Sequence, residues 1–355
     1  MWAMSPTQSG TRPELRLATR GGLKEALRLL TPVYAGVVSV RNSLYDVGAL
    51  RARRAGVPVI SVGNLTTGGT GKTPFVIWLV QRLRALGSNP GVLSRGYGRA
   101  DGAAENDEGV LLSECHPELP QVQQADRVAG AAALEALGAD LILLDDGFQH
   151  RRLARDLDLV LIDTTRPWGL PPAAPGAPPL EALLPRGLLR EPVSSVKRAD
   201  AVVLTRCDQS SEATLAEIER EVRRHAPDVP IAHAVHRPSR VVTPTGTQEP
   251  SWLEGRSVTL LSGVGHPGAF EETARALGAE IRRVHVFDDH HTFTVSEVDG
   301  LCEEDTELLV TAKDAVKLRA LDVPCASLEI EMDLIAGEES LCDLVEAVIK
   351  GASSG

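Results

Sequence analysis

Val62-Gly63-Asn64-Leu65-Thr66-Thr67-Gly68-Gly69-Thr70-Gly71-Lys72-Thr73-Pro74 is the stretch on which the reading of this chain turns. A loop that binds a triphosphate needs glycines, so that successive backbone N–H groups converge on phosphate oxygens with no Cβ in the way. It also needs a lysine for the β- and γ-phosphates, a hydroxyl for Mg²⁺, and a following helix whose N-terminus favours anions. Gly68, Gly69, Gly71, Lys72 and Thr73 supply these groups, with Thr66, Thr67 and Thr70 filling the turn. Thr66 stands where the formal GxxxxGK[ST] pattern has its first glycine. The glycine turn therefore predicts a nucleotide site, and a flexible glycine loop is the plain alternative.

Outward from the loop the pattern is strand, loop, helix, repeated. Residues 57–62 read as a buried strand running into the turn, and residues 73–86 as an amphipathic helix. Further strands are expected at 91–94, 140–145, 157–162 and 201–205. Strands alternating with helices predict an α/β fold, a P-loop NTPase-type parallel sheet with helices on both faces. Asp145 and Asp146 end one of these strands, where a Mg²⁺-supporting carboxylate belongs; capping a strand end is the plain alternative. Residues 167–179 hold six prolines and read as an extended surface loop. After a helix at 212–224, strands at 231–235, 258–262, 283–287, 307–311 and 327–331 predict a second, smaller α/β domain. The expected division is 57–208 for the P-loop domain and 209–350 for the smaller one.

The N-terminal part differs in character. Residues 1–54 hold nine Lys/Arg against Glu14, Glu25 and Asp46, a net of +6 in a chain of net charge −11. The remaining acidic body is a poor partner for nucleic acid, which needs clustered cations. A basic arm suits an anionic bilayer surface, where each Lys or Arg contributes ~1 kcal/mol. Residues 1–20 are polar and aperiodic and are expected to be disordered. Residues 21–56 read as a basic amphipathic helical segment, with Leu23, Leu27, Leu30 and Tyr34 at helical spacing and Pro32 kinking the helix or ending it before Tyr34. It either lies on a membrane or packs on its own domain. The uncharged run from Leu29 to Val40 is shorter than the ~20 residues of a spanning helix. Five scattered cysteines with no CxxC pair argue against a disulfide framework or zinc site and fit a reducing cytoplasm.

Three weaker signals remain. Asp288-Asp289-His290-His291 fits a solvated loop, or a His–Asp base for phosphoryl transfer to an alcohol. Gly263-Val264-Gly265 is a lone GxG, and Thr205-Arg206-Cys207-Asp208 faintly echoes a guanine-reading NKxD, a plain loop at a strand end being the simpler reading.

Eight segments in order resemble the tetraacyldisaccharide 4′-kinase family, from about residue 20 to residue 350. They are VGNLTTGGTGKTP (62–74), LSRGYGR (93–99), NDEGVLL (106–112), DDGFQHRRLARD (145–156), LLPRGLLREP (183–192), SGVGHPGAF (262–270), FDDHHTF (287–293) and VTAKDAVK (310–317). The resemblance implies ATP and Mg²⁺ bound between a P-loop kinase domain and a smaller α/β domain. It implies transfer of the γ-phosphate to the 4′-hydroxyl of a tetraacylated glucosamine disaccharide 1-phosphate, an acylated lipid met at the cytoplasmic face of the inner membrane. It assigns Lys72 and Thr73 to phosphate and metal, Asp145 and Asp146 to the metal with Gln149 beside them, and Asp107 and His290 to catalysis. Arg127 and Glu191 fall in its site segments. A carboxylate within reach of the acceptor hydroxyl takes its proton as the new bond forms, and Asp107 is that group by resemblance only.

Four departures stand out. The family usually has Gly at 106, Pro at 288 and a small residue at 186, where this chain has Asn106, Asp288 and Arg186, and the 167–179 stretch looks inserted. Asp288 brings a negative charge near His290, favouring its protonated form. The rival reading, a regulatory ATPase or GTPase of the deviant Walker A type, needs a lysine where Thr67 stands. A membrane-surface protein that had lost catalysis would show damage at Lys72, Thr73 or Asp145, and all three are present.

Overall fold

The computed structural model describes residues 7–9, 23–96, 106–170, 180–289, 291–301 and 305–353. In chain order its strands are β1 (Thr7–Ser9), β2 (Val59–Asn64), β3 (Pro90–Ser94), β4 (Gln121–Gln123), β5 (Leu141–Asp145), β6 (Leu157–Asp163) and β7 (Ala201–Thr205). They continue with β8 (Ile231–Thr243), β9 (Gly246–Gln248), β10 (Ser257–Ser262), β11 (Glu280–Val286), β12 (Glu307–Thr311) and β13 (Ala326–Ala336). The α-helices are α1 (Leu23–Ala26), α2 (Thr31–Asp46), α3 (Lys72–Ala85), α4 (Asp107–Cys115) and α5 (Arg127–Ala136). After them come α6 (Glu212–His225), α7 (Pro267–Ala276), α8 (Val295–Val298), α9 (Ala312–Arg319) and α10 (Glu338–Ser353).

The chain divides into two units, one made of Leu17–Tyr97, Cys115–His236 and Met332–Gly355, the other of Met1–Arg16, Gly98–Glu114 and Arg237–Glu331. In the first unit the strand order is β4-β3-β5-β2-β6-β7-β8, with every pair parallel. The expected parallel sheet is therefore present. β2 lies in its middle, Val62 pairing with Asp145 of β5 on one side and Leu159 of β6 on the other. From β2 the chain goes on to β3 beyond β5, then returns to β6 on the opposite flank. The carboxyl ends of strands at such a reversal are where ligands bind in open α/β sheets. Both faces are apolar, as a parallel sheet requires. Val59, Ile142 and Leu144 pack with Ala131 and Leu134 of α5, whereas Val160, Ile162, Val202 and Leu204 pack with Ile218 and Val222 of α6.

The second unit has the parallel order β1-β11-β10-β12-β13. Alternate residues of its strands feed two cores, because side chains along a strand point to opposite faces. Leu260 and Leu309 pack with Ala274 of α7, and Leu261, Leu308 and Val310 with Ala315 and Leu318 of α9. The arm at 1–20 lies outside the described residues except for Thr7–Ser9, which pair with Arg283–His285.

The N-terminal helix differs from its sequence reading in one respect. Pro32 sits in the first turn of α2 and opens that helix, where a missing N–H costs nothing. The repeat Leu23, Leu27, Leu30, Tyr34 therefore does not run along one helix: α1 passes into a 3₁₀ turn at Leu27–Leu29 before α2 begins. Residues 171–179 of the proline-rich stretch lie outside the described residues, and Leu170 and Leu180 on either side of them bridge each other as buried neighbours. Arg186 is buried and pairs with Glu25 at 3.2 Å, so this departure ties the loop after residue 180 to α1.

Candidate functional site

The phosphate loop leaves β2 at Asn64 and is held from both sides within the first unit. The Thr67 N–H donates to the Leu188 carbonyl and the Arg190 N–H to the Leu65 carbonyl, both at 2.8 Å, with Thr66 bridging Leu189. Thr66 thus occupies a strand-like position that has no need of glycine. The left-handed conformations fall at Gly68 (φ 100°) and Gly71 (φ 86°). The Thr205 hydroxyl donates to the Thr70 carbonyl at 2.9 Å and Arg206 Nη1 to the Gly69 carbonyl at 3.1 Å. A trans peptide points its C=O and N–H in opposite directions. Anchoring the Thr70 carbonyl on Thr205 therefore fixes the Gly71 N–H facing away from β7. Asn64 Nδ2 donates to Thr70 Oγ1 at 3.0 Å, which closes the loop. At Gly71 the backbone approaches the buried His236, and a Cβ there would sit 2.6 Å from Nε2. α3 begins at Lys72, putting a helix N-terminus behind the loop.

Asp145 ends β5 beside this loop, and Asp146 follows in a left-handed conformation, φ 54°. Arg190 Nη1 donates to both Asp146 oxygens at 2.7 Å and to Gln149 Oε1 at 3.3 Å, while Lys72 Nζ lies 3.6 Å from Asp146 Oδ1. Burial pushes the Asp146 carboxyl up, but Lys72 and Arg190 outweigh it and hold it down at about 2. Gln149 Nε2 donates to the Asn64 carbonyl at 2.9 Å, fixing the end of β2. Arg127 opens α5 almost fully buried; burial lowers its pKa, and the charges of Asp146 and Asp145 work against that shift. Glu191, also buried, accepts from Arg198 Nη1 at 2.8 Å and from Asn42 Nδ2 of α2 at 3.0 Å. Its position is that of a clamp between α2 and the Arg190 segment.

The second unit carries the other predicted residues. Asn106 Oδ1 accepts the Gly109 N–H at 3.0 Å, so this departure from the family's glycine caps the helix that Asp107 opens. Lys317 Nζ lies 3.1 Å from Asp107 Oδ2, and Lys313 Nζ lies 3.3 Å from Glu108 and 3.6 Å from Asp289. His290 lies outside the described residues. His291 is accounted for by packing: it stacks on Phe287, meets Phe293 edge-on and pairs with Glu297 at 3.2 Å. Among the described residues no group of three or more His, Cys, Asp or Glu is arranged to hold a metal ion.

Residues 23–350 match the family of tetraacyldisaccharide-1-P 4′-kinases. The chain belongs to that family. A tetraacyldisaccharide 4′-kinase of Anaeromyxobacter sp. (strain Fw109-5) is 38% identical over 348 residues, 91% of each chain. One from Syntrophus aciditrophicus is 37% identical, covering 86% of this chain and 88% of its own. Among solved structures, the ATP complex of LpxK from Aquifex aeolicus has a TM-score of 0.69 at 30% identity, covering 92% of this chain and 99% of its own. As a member of this kinase family the chain is a phosphotransferase.

The kinase family's loop, carboxylates, Gln149 and Arg127 are gathered in one unit, whereas Asp107 belongs to the other. Sequence reading missed Arg190, Arg206, Thr205, His236 and Lys317. Arg190 and Lys317 stand inside the segments 183–192 and 310–317 that carry the resemblance, and that was their only signal. Thr205 and Arg206 lie in the stretch read as a faint NKxD echo. It is a 3₁₀ turn at a strand end, and what it does is brace the phosphate loop.

Proposed function

We propose that this kinase transfers the γ-phosphate of ATP to the 4′-hydroxyl of tetraacyldisaccharide 1-phosphate in lipid A biosynthesis. The observation that carries the reading is the phosphate loop with Lys72 and Arg190 on Asp146, in a chain that matches this family from residue 23 to 350. Phosphoryl transfer relies on positioning and on neutralising charge. The loop N–H groups and Lys72 hold the triphosphate, and Arg190 and Arg127 keep the adjoining site cationic. Thr73, Asp145 and Asp146 offer only hard oxygen donors, which suits Mg²⁺, an ion usually held by one or two carboxylates with substrate phosphates. When bound it supplies further positive charge at the phosphates. Asp107, with His290 as its partner, takes the acceptor hydroxyl's proton.

The acylated substrate is met at an anionic inner-membrane surface, on its cytoplasmic face. Support comes from α2 and the turn before it: Leu29, Val33, Val37 and Val40 are each more than three-fifths exposed. An adjacent side of α2 is bound to the protein, Tyr34 Oη donating to the Arg190 carbonyl at 2.8 Å and Arg41 to the Gln149 carbonyl. Among the described residues no helix is long and apolar enough to cross a membrane, so the association would be peripheral. The experiment is to give purified protein Mg-ATP and tetraacyldisaccharide 1-phosphate. A 4′-phosphorylated lipid should form, and Lys72→Ala should abolish it. Robust ATP hydrolysis with no lipid product would favour the regulatory ATPase.

A further inference from the structure

Two lysines of the segment Val310 to Lys317, Lys313 and Lys317, pair with the first turn of α4. We infer that Lys317 is a positioning residue for phosphoryl transfer, its ammonium fixing the carboxylate of Asp107 for the incoming hydroxyl. This rests on the reading of Asp107 as the proton acceptor.

Lys317 is itself held from behind. Its Nζ lies 3.1 Å from Asp107 Oδ2 and 3.6 Å from Asp314 Oδ1, and its side chain is 10% exposed. Asp314 has no freedom to follow another partner. Its Oδ2 accepts the Gly263 N–H at 3.1 Å and the Thr311 hydroxyl at 2.7 Å, and its own N–H donates to Thr311 Oγ1 at 3.2 Å. The fully buried Asp314 side chain, held by Gly263 and Thr311, thus gives Lys317 a fixed neighbour that keeps it extended toward Asp107. The Phe293 ring, 5.5 Å from Nζ, adds a weak cation–π contact on another side. Lys313, four residues earlier on the same face of α9, takes Glu108 and Asp289. The two acidic residues that open α4 are thereby sorted between two lysines, Glu108 to Lys313 and Asp107 to Lys317.

A surface ion pair would do little for either partner. A pair anchored on a buried third charge restricts the Asp107 carboxylate, and restriction is what a proton acceptor needs to meet a hydroxyl in one orientation. In the step itself the acceptor O–H bond breaks as the O–P bond forms and the bond from the γ-phosphorus to ADP breaks. The proton goes to Asp107, and Lys317 takes no part in the transfer.

The test uses the full chain with ATP and tetraacyldisaccharide 1-phosphate. Lys317→Gln should lower kcat by roughly 10- to 100-fold, leave KM for ATP within about twofold because the nucleotide site is untouched, and be largely rescued as Lys317→Arg. Because Lys317→Gln leaves Asp314 buried without its cation, the same constants are measured for Lys317→Gln with Asp314→Asn, in which only Asp107 has lost its charge partner and the same fall in kcat is expected. In an Asp107→Asn background Lys317→Gln should change the residual rate no further, since it acts through Asp107. Unchanged kcat in Lys317→Gln, a further loss in the Asp107→Asn background, or failure of both Lys317 forms to fold would each overturn the inference. If Asp107→Asn alone keeps full turnover, the reading of Asp107 fails first. If Asp107→Asn is inactive and Lys317→Gln is not, only the inference fails.

Discussion

Arg190 binds both carboxylate oxygens of Asp146 through one nitrogen at 2.7 Å, and its backbone carbonyl accepts the hydroxyl of Tyr34 from α2. One residue therefore joins the helix with the exposed apolar face to a carboxylate beside the phosphate loop. Lys72, the loop's own cation, approaches the same carboxylate at 3.6 Å.

If Arg190 holds Asp146 in place, Arg190→Ala should lower kcat by roughly 10- to 100-fold, and Arg190→Lys should recover much of it, since a single nitrogen makes the contacts to Asp146 and an ammonium can supply that point charge. Steady-state kinetics on the lipid acceptor read this directly. Wild-type turnover in Arg190→Ala would show that Asp146 needs no such partner.

Gly71 combines a left-handed backbone with a close approach to His236. Gly71→Ala should cost about 1–3 kcal/mol in strain, with a lower melting temperature and nucleotide affinity reduced by tenfold or more. Titration with a fluorescent ATP analogue and a thermal melt would measure both, and an unaltered pair of values would contradict the packing described.

His236 has its pKa lowered to about 3, first by burial and then by the Arg206 guanidinium, with Asp163 opposing. In the folded chain it is neutral over a range where the unfolded chain's histidine, with an ordinary pKa near 6.5, takes up a proton. Between those values the unfolded state binds more protons, so stability is fully present above about 6.5 and falls as pH drops toward about 3. His236→Gln should flatten the slope of unfolding free energy against pH in that window by up to about 1.4 kcal/mol per pH unit. Urea denaturation at a series of pH values gives the slope, and parallel curves for the two proteins would refute the assignment.

The exposed face of α2 should carry the membrane contact. Placing aspartate at both Val33 and Val37 removes two apolar side chains from any interface, each contributing about 1.5–3 kcal/mol when fully buried. Sedimentation with anionic vesicles should fall at least about tenfold while the melting temperature holds, since neither side chain packs in the core. Undiminished sedimentation would locate the contact elsewhere.

Much of this protein was legible from residues 62–74 outward. Glycines before a lysine and a hydroxyl, set between a buried strand and an amphipathic helix, specify a phosphate loop, because backbone freedom and helix capping are local properties. Alternating strands and helices specified the parallel sheet for a similar reason, since hydrophobic period depends on neighbours a few positions away. The direction of α2 was not legible, because Pro32 is compatible with ending a helix or opening one and only the packing of Tyr34 on Arg190 selects between them. The resemblance named Asp107 with His290 as its partner and gave no sign of Lys317.

What the tertiary structure decided is which charges meet. Arg190 lies 44 residues from Asp146, and Lys317 lies in α9, far along the chain from Asp107 in α4. Local periodicity says nothing about such pairs: strand order and the packing of helices on the sheets bring them within 3 Å or so, and Coulomb attraction with desolvation then fixes them. The phosphate loop was thus set by the sequence alone. The cations that hold its carboxylate, and the lysine that holds Asp107, exist as partners only in the folded chain.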